Sequence, residues 1–263
     1  MRTLVKALGI VLVTICCAVA GNLSKRPQIY QTANATTLVN PYRYAVSGPS
    51  ETTVEDRTLT GCILSSSIDV QLPSTVNSGD LLIMVVGFNS DGSANTTTGP
   101  SGWAEHYNDH LTPWGGEIGI WSKVADGTED GNTETVSATN GTSAIAQVYR
   151  IVAYTGTATT AINTSTKKAA VATSVSFNSL SPSWGTTTLW MIIGGWINDD
   201  ESVTAWPTNY ATNGSSPSCG LGANQHIRLG ISYRSNSASS ESPGNISLSE
   251  SAGTAGFVLA VQP

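Results

Sequence analysis

Two stretches of the chain are written in nearly the same hydrophobic code. "GDLLIMVVGF" (Gly79–Phe88) and "TTLWMIIGGW" (Thr187–Trp196) are continuous apolar runs. In each, a glycine follows the leucine at the same interval (Leu81 to Gly87, Leu189 to Gly195) and an aromatic comes next. An apolar run without polar interruption predicts a central strand buried on both faces. "GEIGIWSKV" (Gly116–Val124) and "HIRLGISYR" (His226–Arg234) instead alternate, which predicts strands with one wet face. No stretch after residue 21 sustains a helical period, and Pro73, Pro100, Pro113, Pro182, Pro207 and Pro243 fall between strand candidates.

The similarity extends beyond the two apolar runs. Leu81, Gly87 and Phe88 recur as Leu189, Gly195 and Trp196, all at an offset of 108. "PSGW" (Pro100–Trp103) is matched by "PTNY" (Pro207–Tyr210), and "EIGIWSKV" by "RLGISYRS", with Gly119 on Gly230. "SAIAQVYRIVAY" (Ser143–Tyr154) is matched by the closing "AGFVLAVQP". Upstream, Ile63, Ile68 and Val70 are echoed by Val171, Val175 and Phe177. A half of about four strands leaves an apolar face bare, and two such halves face to face cover it. The expected fold is therefore all-β: a single jelly-roll-like antiparallel β-sandwich, residues 58–263, built from pseudo-repeats at about 58–156 and 171–263. Glycines inside these strands, Gly87, Gly119, Gly194, Gly195 and Gly230, are expected to let a bulky Trp or Tyr from a facing strand lie flat on the backbone.

Residues 1–20 read as a signal peptide or hydrophobic leader. A basic start precedes an apolar run from about Ala7 to Val19, and Ala18-Val19-Ala20 offers a small-residue cleavage site. Residues 21–57 are polar, with Pro27, Pro41 and Pro49, and are expected to form an extended N-terminal arm with a strand at Tyr42–Val46. Apolar residues make up 40% of the chain and charged ones only 11%, which excludes disorder and coiled coil. Formal charge is −6, without a basic cluster larger than the pairs Lys25-Arg26 and Lys167-Lys168, so no nucleic-acid partner is expected. Nor is a membrane, beyond the leader. Outside the leader the cysteines are Cys62 and Cys219, which in an exported protein form either one disulfide or two buried thiols.

"SGWAEHYNDHLTPWGGE" (Ser101–Glu117) is the most site-like stretch. Trp103, Tyr107 and Trp114 beside Glu105 and Asp109 are the materials of a sugar-binding surface: rings for the pyranose face, carboxylates for its hydroxyls. The alternative is a long loop whose tryptophan packs on the sandwich rim. His106 and His110 have the i,i+4 spacing of a zinc pair on a helix, which Pro113 argues against. Two acidic turns offer calcium oxygens at Asp91 and at Asp199 and Asp200, without the EF-hand spacing. Glu105, Asp109, Glu117 and Glu134 could supply a hydrolytic carboxylate pair, although no spacing demands it. Neither a nucleophile elbow nor a phosphate loop is present. No cofactor and no enzyme activity are expected. Among the tryptophans, Trp121, Trp190 and Trp196 are expected in the core, and Trp103, Trp114, Trp184 and Trp206 at turns.

The GDLL strand, the PSGW turn, the "WSKVADGTE" block and the apolar closing strand together resemble a sandwich module of uncharacterised bacteriophage structural proteins (tail fibres, capsid decorations) and exported bacterial surface proteins. That resemblance implies a particle-surface or cell-surface building block with no catalytic residues to carry over. The expected function is a non-catalytic structural or adhesive protein, assembling with itself or with other surface or virion proteins, at a particle surface or outside the cell. The alternative is a secreted module binding cell-surface glycans.

Overall fold

In the computed structural model, the described residues are 51–90, 96–111, 115–198, 201–220 and 226–263. They form fifteen β-strands and one 3-10 turn, Ala211–Asn213. The first half holds β1 (Thr53–Ile63), β2 (Ser67–Gln71), β3 (Leu81–Ser90), β4 (Thr97–Thr98), β5 (Ala104–Leu111), β6 (Gly116–Val124), β7 (Thr133–Ala138) and β8 (Gly141–Val152). The second holds β9 (Ile162–Thr164), β10 (Lys168–Val175), β11 (Thr187–Asn198), β12 (Val203–Ala205), β13 (Ser218–Gly220), β14 (His226–Ala238) and β15 (Ile246–Val261).

Strand order shows the duplication directly. One large sheet runs β1-β8-β3-β6-β5 and the other β10-β15-β11-β14-β13, all antiparallel. The repeated apolar runs, β3 and β11, sit third in each order. The matched alternating strands, β6 and β14, lie on one side of them, and β8 and β15 on the other. The counterpart of β1 is split in two. β9 pairs with Leu259–Val261 and β10 takes over at Gly256, so the two follow one another along the same edge of β15. Residues 53–57, assigned to the arm from sequence, belong to β1 and so to the first sheet. The second half likewise begins at Ile162 rather than near 171. The strand expected at Tyr42–Val46 lies outside the described residues.

The sheets pack face to face around a central core of Leu81, Ile83, Val85, Ile118 and Ile120 from one half and Met191, Ile193, Ile227, Leu229, Ile231 and Phe257 from the other. This is the sandwich expected from the repeat. Each half also covers its own outer face. In the first half a small sheet, β2-β7-β4, closes a second core of Ile68, Val70, Met84, Val86, Phe88, Trp121 and Val136. In the second half the end of β10, the first residues of β15 and β12 occupy that place. They pair as Val175↔Ile246 and Val203↔Leu248 over a third core containing Trp190, Trp196, Phe177 and Tyr210. Four layers result, and they explain why β3 is buried at every position. Its odd residues enter the central core and its even ones the outer core.

The repeated glycines have a packing cause, different in two classes. A Cβ on Gly87 would lie 2.8 Å from Ile227 Cγ1, and one on Gly195 would lie 2.1 Å from Ile118 Cδ1. Each glycine is a socket for an isoleucine of the opposite half. At Gly230 the ring is that of Trp196 from the neighbouring strand β11, whereas at Gly119 it is that of Trp121 from the same strand, not from a facing one as expected. Trp121, Trp190 and Trp196 are core residues, as expected, and Trp184 and Trp206 are partly buried against the third core.

Candidate functional site

The stretch from Ala104 to Leu111, weighed from sequence as a loop, is the edge strand β5. A β-bulge between Glu105 and Tyr107 shifts the register by one, so Trp103 before it and Tyr107 after it point to opposite faces and do not form one platform. Trp103 lies just before β5 in the first outer core, 9% exposed, with its indole N–H donating to Glu134 Oε1 at 3.2 Å. Tyr107 faces the other way, against the central core, its ring 4.1 Å from that of Phe257. Neither ring presents the open flat face a sugar needs. Glu105 is exposed and accepts from Asn108 Nδ2 at 3.1 Å. Trp114, Asp91, Asp199 and Asp200 lie outside the described residues. Among the described residues, no three His, Cys, Asp or Glu side chains cluster as metal ligands.

What β5 builds is one of two clasps between the halves. Lys167, just before β10, reaches across to Asp109 Oδ2 at 2.5 Å and to the carbonyl of His110 at 2.9 Å. Tyr107 donates its hydroxyl to the same carboxylate at 3.0 Å. Burial works to raise the Asp109 pKa, but the bonds from Lys167, the His110 amide and Tyr107 outweigh it and hold the carboxyl below its ordinary range. Burial and the Asp109 charge push the Tyr107 phenol well above its own. The facing margin is closed covalently. Cys62 at the end of β1 is disulfide-bonded to Cys219 in β13, with the Cα atoms 4.7 Å apart. Of the two pairings open from sequence, the disulfide is the one formed.

The connection between the halves is anchored as well. His106 Nε2 lies 2.7 Å from Ser122 Oγ, which donates to the carbonyl of Ala158 at 2.7 Å. Burial lowers the imidazole pKa, against the opposing pull of the Ala158 carbonyl. A shallow polar cleft of about 260 Å³ opens between β1 and the 3-10 turn, lined by Val54, Asp56, Arg57, Asn213 and Tyr233 among others. Its guanidinium is tied to the Asn213 carbonyl at 3.4 Å.

The remaining features are the sheet edges. β1 and β10 end their sheets, so one side of each strand carries backbone donors and acceptors without a neighbouring strand. Among the described residues, the large exposed apolar ones are all there: Leu59 (50%), Ile63 (41%) and Leu64 (52%) in or beside β1, and Val171 (54%) in β10. The segment Thr58–Leu64 has no charge at all. Among the described residues, no helix is long and apolar enough to cross a membrane.

No family model matches this sequence, and no curated protein matches it. Among solved structures, that of Melon necrotic spot virus is similar at 8% identity, over 81% of this chain and 98% of that one, with a TM-score of 0.19. At that TM-score the likeness shows neither fold nor function.

Proposed function

We propose that the protein is a non-catalytic structural or adhesive subunit of a surface: a particle exterior, or an exported filament or coat. The observation that carries this reading is the pairing of a locked slab with large apolar side chains exposed along its edge strands. Three cores and a disulfide fix the two halves, with a partly exposed ion pair beside them, while Leu59, Ile63, Leu64 and Val171 stay in solvent on or beside edge strands. Soluble β-proteins normally blunt such edges with charge, proline or a covering loop. An edge left bare suits addition of a strand from a neighbour.

Charge supports the N-terminal arm of another copy as the added piece. Residues 51–263 carry 7 Lys and Arg against 18 Asp and Glu, whereas residues 21–50 carry Lys25, Arg26 and Arg43 and no carboxylate. A basic arm and an acidic body attract between copies, and the attraction fades with salt. Thirty residues extend to about 100 Å, ample to reach a neighbour. Cys62–Cys219 and the leader suit a protein that leaves the reducing cytoplasm.

The test is particle mass by light scattering and electron microscopy at low and high salt, for three proteins: the parent, a form lacking residues 21–50, and Leu59→Lys/Ile63→Lys. The parent should assemble, the arm-deleted form should remain monomeric, and the edge variant should lose most assembly while melting like the parent monomer. A monomeric parent at all salt concentrations, or arm-deleted protein assembling as well as the parent, overturns the reading.

A further inference from the structure

Glu117 is a buried carboxylate that its surroundings do not satisfy. Ile118 and Ile120 of β6 enter the central core, so Glu117 points to the opposite side, under the small outer sheet, and is only 2% exposed. Its Oε1 accepts the backbone N–H of Thr97 in β4 at 3.0 Å, whereas Oε2 has no partner. Two further buried oxygens, on residues of the same hydrogen-bond chain, are also without partners: Thr97 Oγ1 and Asn108 Oδ1. Asn108 spends its amide N–H groups on the Thr97 carbonyl, at 2.8 Å, and on Glu105 Oε2, which leaves its oxygen as the free end. In the β5–β6 ladder His110 stands opposite Glu117 and Asn108 opposite Gly119, making Asn108 and Glu117 diagonal neighbours on one face. The ring of Trp121, lying on Gly119 and against Gly99, walls the group off.

An unpaired buried carboxylate oxygen costs several kcal/mol unless a cation or a proton neutralises it. Among the described residues, no lysine or arginine forms an ion pair with Glu117. The duplication supplies a contrast, because the aligned position in β14 is Arg228, so the second half carries a cation of its own where the first half carries an anion.

We propose that Glu117, Thr97 and Asn108 form a binding site for a calcium ion. The donor set is a carboxylate, a hydroxyl and an amide carbonyl, all hard oxygens and no nitrogen or sulfur, which suits Ca²⁺ rather than zinc. Calcium accepts irregular oxygen shells, completed by backbone carbonyls or water, whereas Mg²⁺ demands a near-ideal octahedron. With one buried carboxylate in the shell and Glu105 adding charge at the mouth, affinity falls in the class of extracellular modules, a Kd on the order of 10⁻⁴–10⁻³ M. The ion ties β4 of the outer sheet to β5 and β6 of the inner one.

Terbium luminescence tests the site, since Trp121 stands beside it as an antenna. Tryptophan-sensitised Tb³⁺ emission should appear with the parent and be displaced by Ca²⁺ but not by equal Mg²⁺. Glu117→Gln should weaken Tb³⁺ binding at least tenfold, Asn108→Ala should weaken it measurably, and CaCl₂ should raise the melting temperature of the parent alone. Absence of calcium-displaceable emission from the parent overturns the site. So does emission unchanged in Glu117→Gln, which would put the ion on surface carboxylates such as Asp126 and Asp130. Should Glu117→Gln fail to fold, equal affinity in the parent and Asn108→Ala overturns it as well.

Discussion

Gly87 and Gly195 occupy corresponding positions in the repeat, and each receives an isoleucine from the other half. The close approach of the two sheets rests on these missing side chains and on that of Gly116, which receives Ile197 of the second half. Gly195→Ala would force a methyl into Ile118, which cannot withdraw because Ile118 lies in the central core. Overpacking of this kind costs about 1–3 kcal/mol, and thermal denaturation should show Gly195→Ala melting several degrees below the parent. His106 gives a second prediction at this scale. Its folded-state pKa lies below the ordinary 6.5, so the fold favours the neutral ring while the unfolded chain takes up a proton first. The stability that depends on neutral His106 is therefore fully present above about pH 6.5 and declines as pH falls from there toward the folded-state pKa. Melting temperatures measured from pH 8 to pH 5 should fall in the parent, and His106→Gln should flatten much of that slope.

At the scale of elements, the two clasps differ in kind though they sit on opposite margins of the same slab. The disulfide closes a loop with a sequence separation of 157 residues, so its loss releases much unfolded-chain entropy; the Lys167–Asp109 pair, partly exposed, contributes little by comparison. Cys62→Ser/Cys219→Ser should cost about 2–5 kcal/mol, lowering the melting temperature by roughly 5–15 °C, and added reductant should do the same to the parent but not to the variant. The same elements show where sequence was a sufficient guide. β3, β11, β6 and β14 were readable as strands because burial leaves apolar runs or alternation, although β6, expected to keep one wet face, is buried on both from Gly116 to Ser122 under the small outer sheet. β5 was not: "AEHYNDHL" lies at a sheet edge, where neither face excludes polar residues, so its code resembles that of a loop. The unpartnered oxygens of Thr97, Asn108 and Glu117 come from three strands separated by turns, and no local pattern joins them.

The whole molecule resembles a symmetric dimer written into one chain. Strand orders match position by position, the sockets at Gly87 and Gly195 are reciprocal, and β5 packs over β15 while β13 packs over β8. Each half closes its own outer core, and neither closes the inner one. Cutting the chain between β8 and β9 therefore separates two kinds of stability. The first half alone, residues 51–156, keeps its small sandwich of β2-β7-β4 on β1-β8-β3-β6-β5, but leaves Leu81, Ile83, Val85, Ile118, Ile120, Ile145 and Ile151 bare on one broad face. So large an exposed apolar surface drives association. Expressed alone, this half should be aggregated or should dimerise through that face, and residues 157–263 added in excess should compete for it and yield a soluble one-to-one complex. Sedimentation velocity of the separate and mixed halves measures this. A soluble, monomeric first half would show that the outer core alone makes a complete domain and that the central core only docks two finished ones. The shared core, reciprocal sockets and disulfide spanning both halves argue instead for one cooperative unit, in which the inner face of each half is completed only by the other.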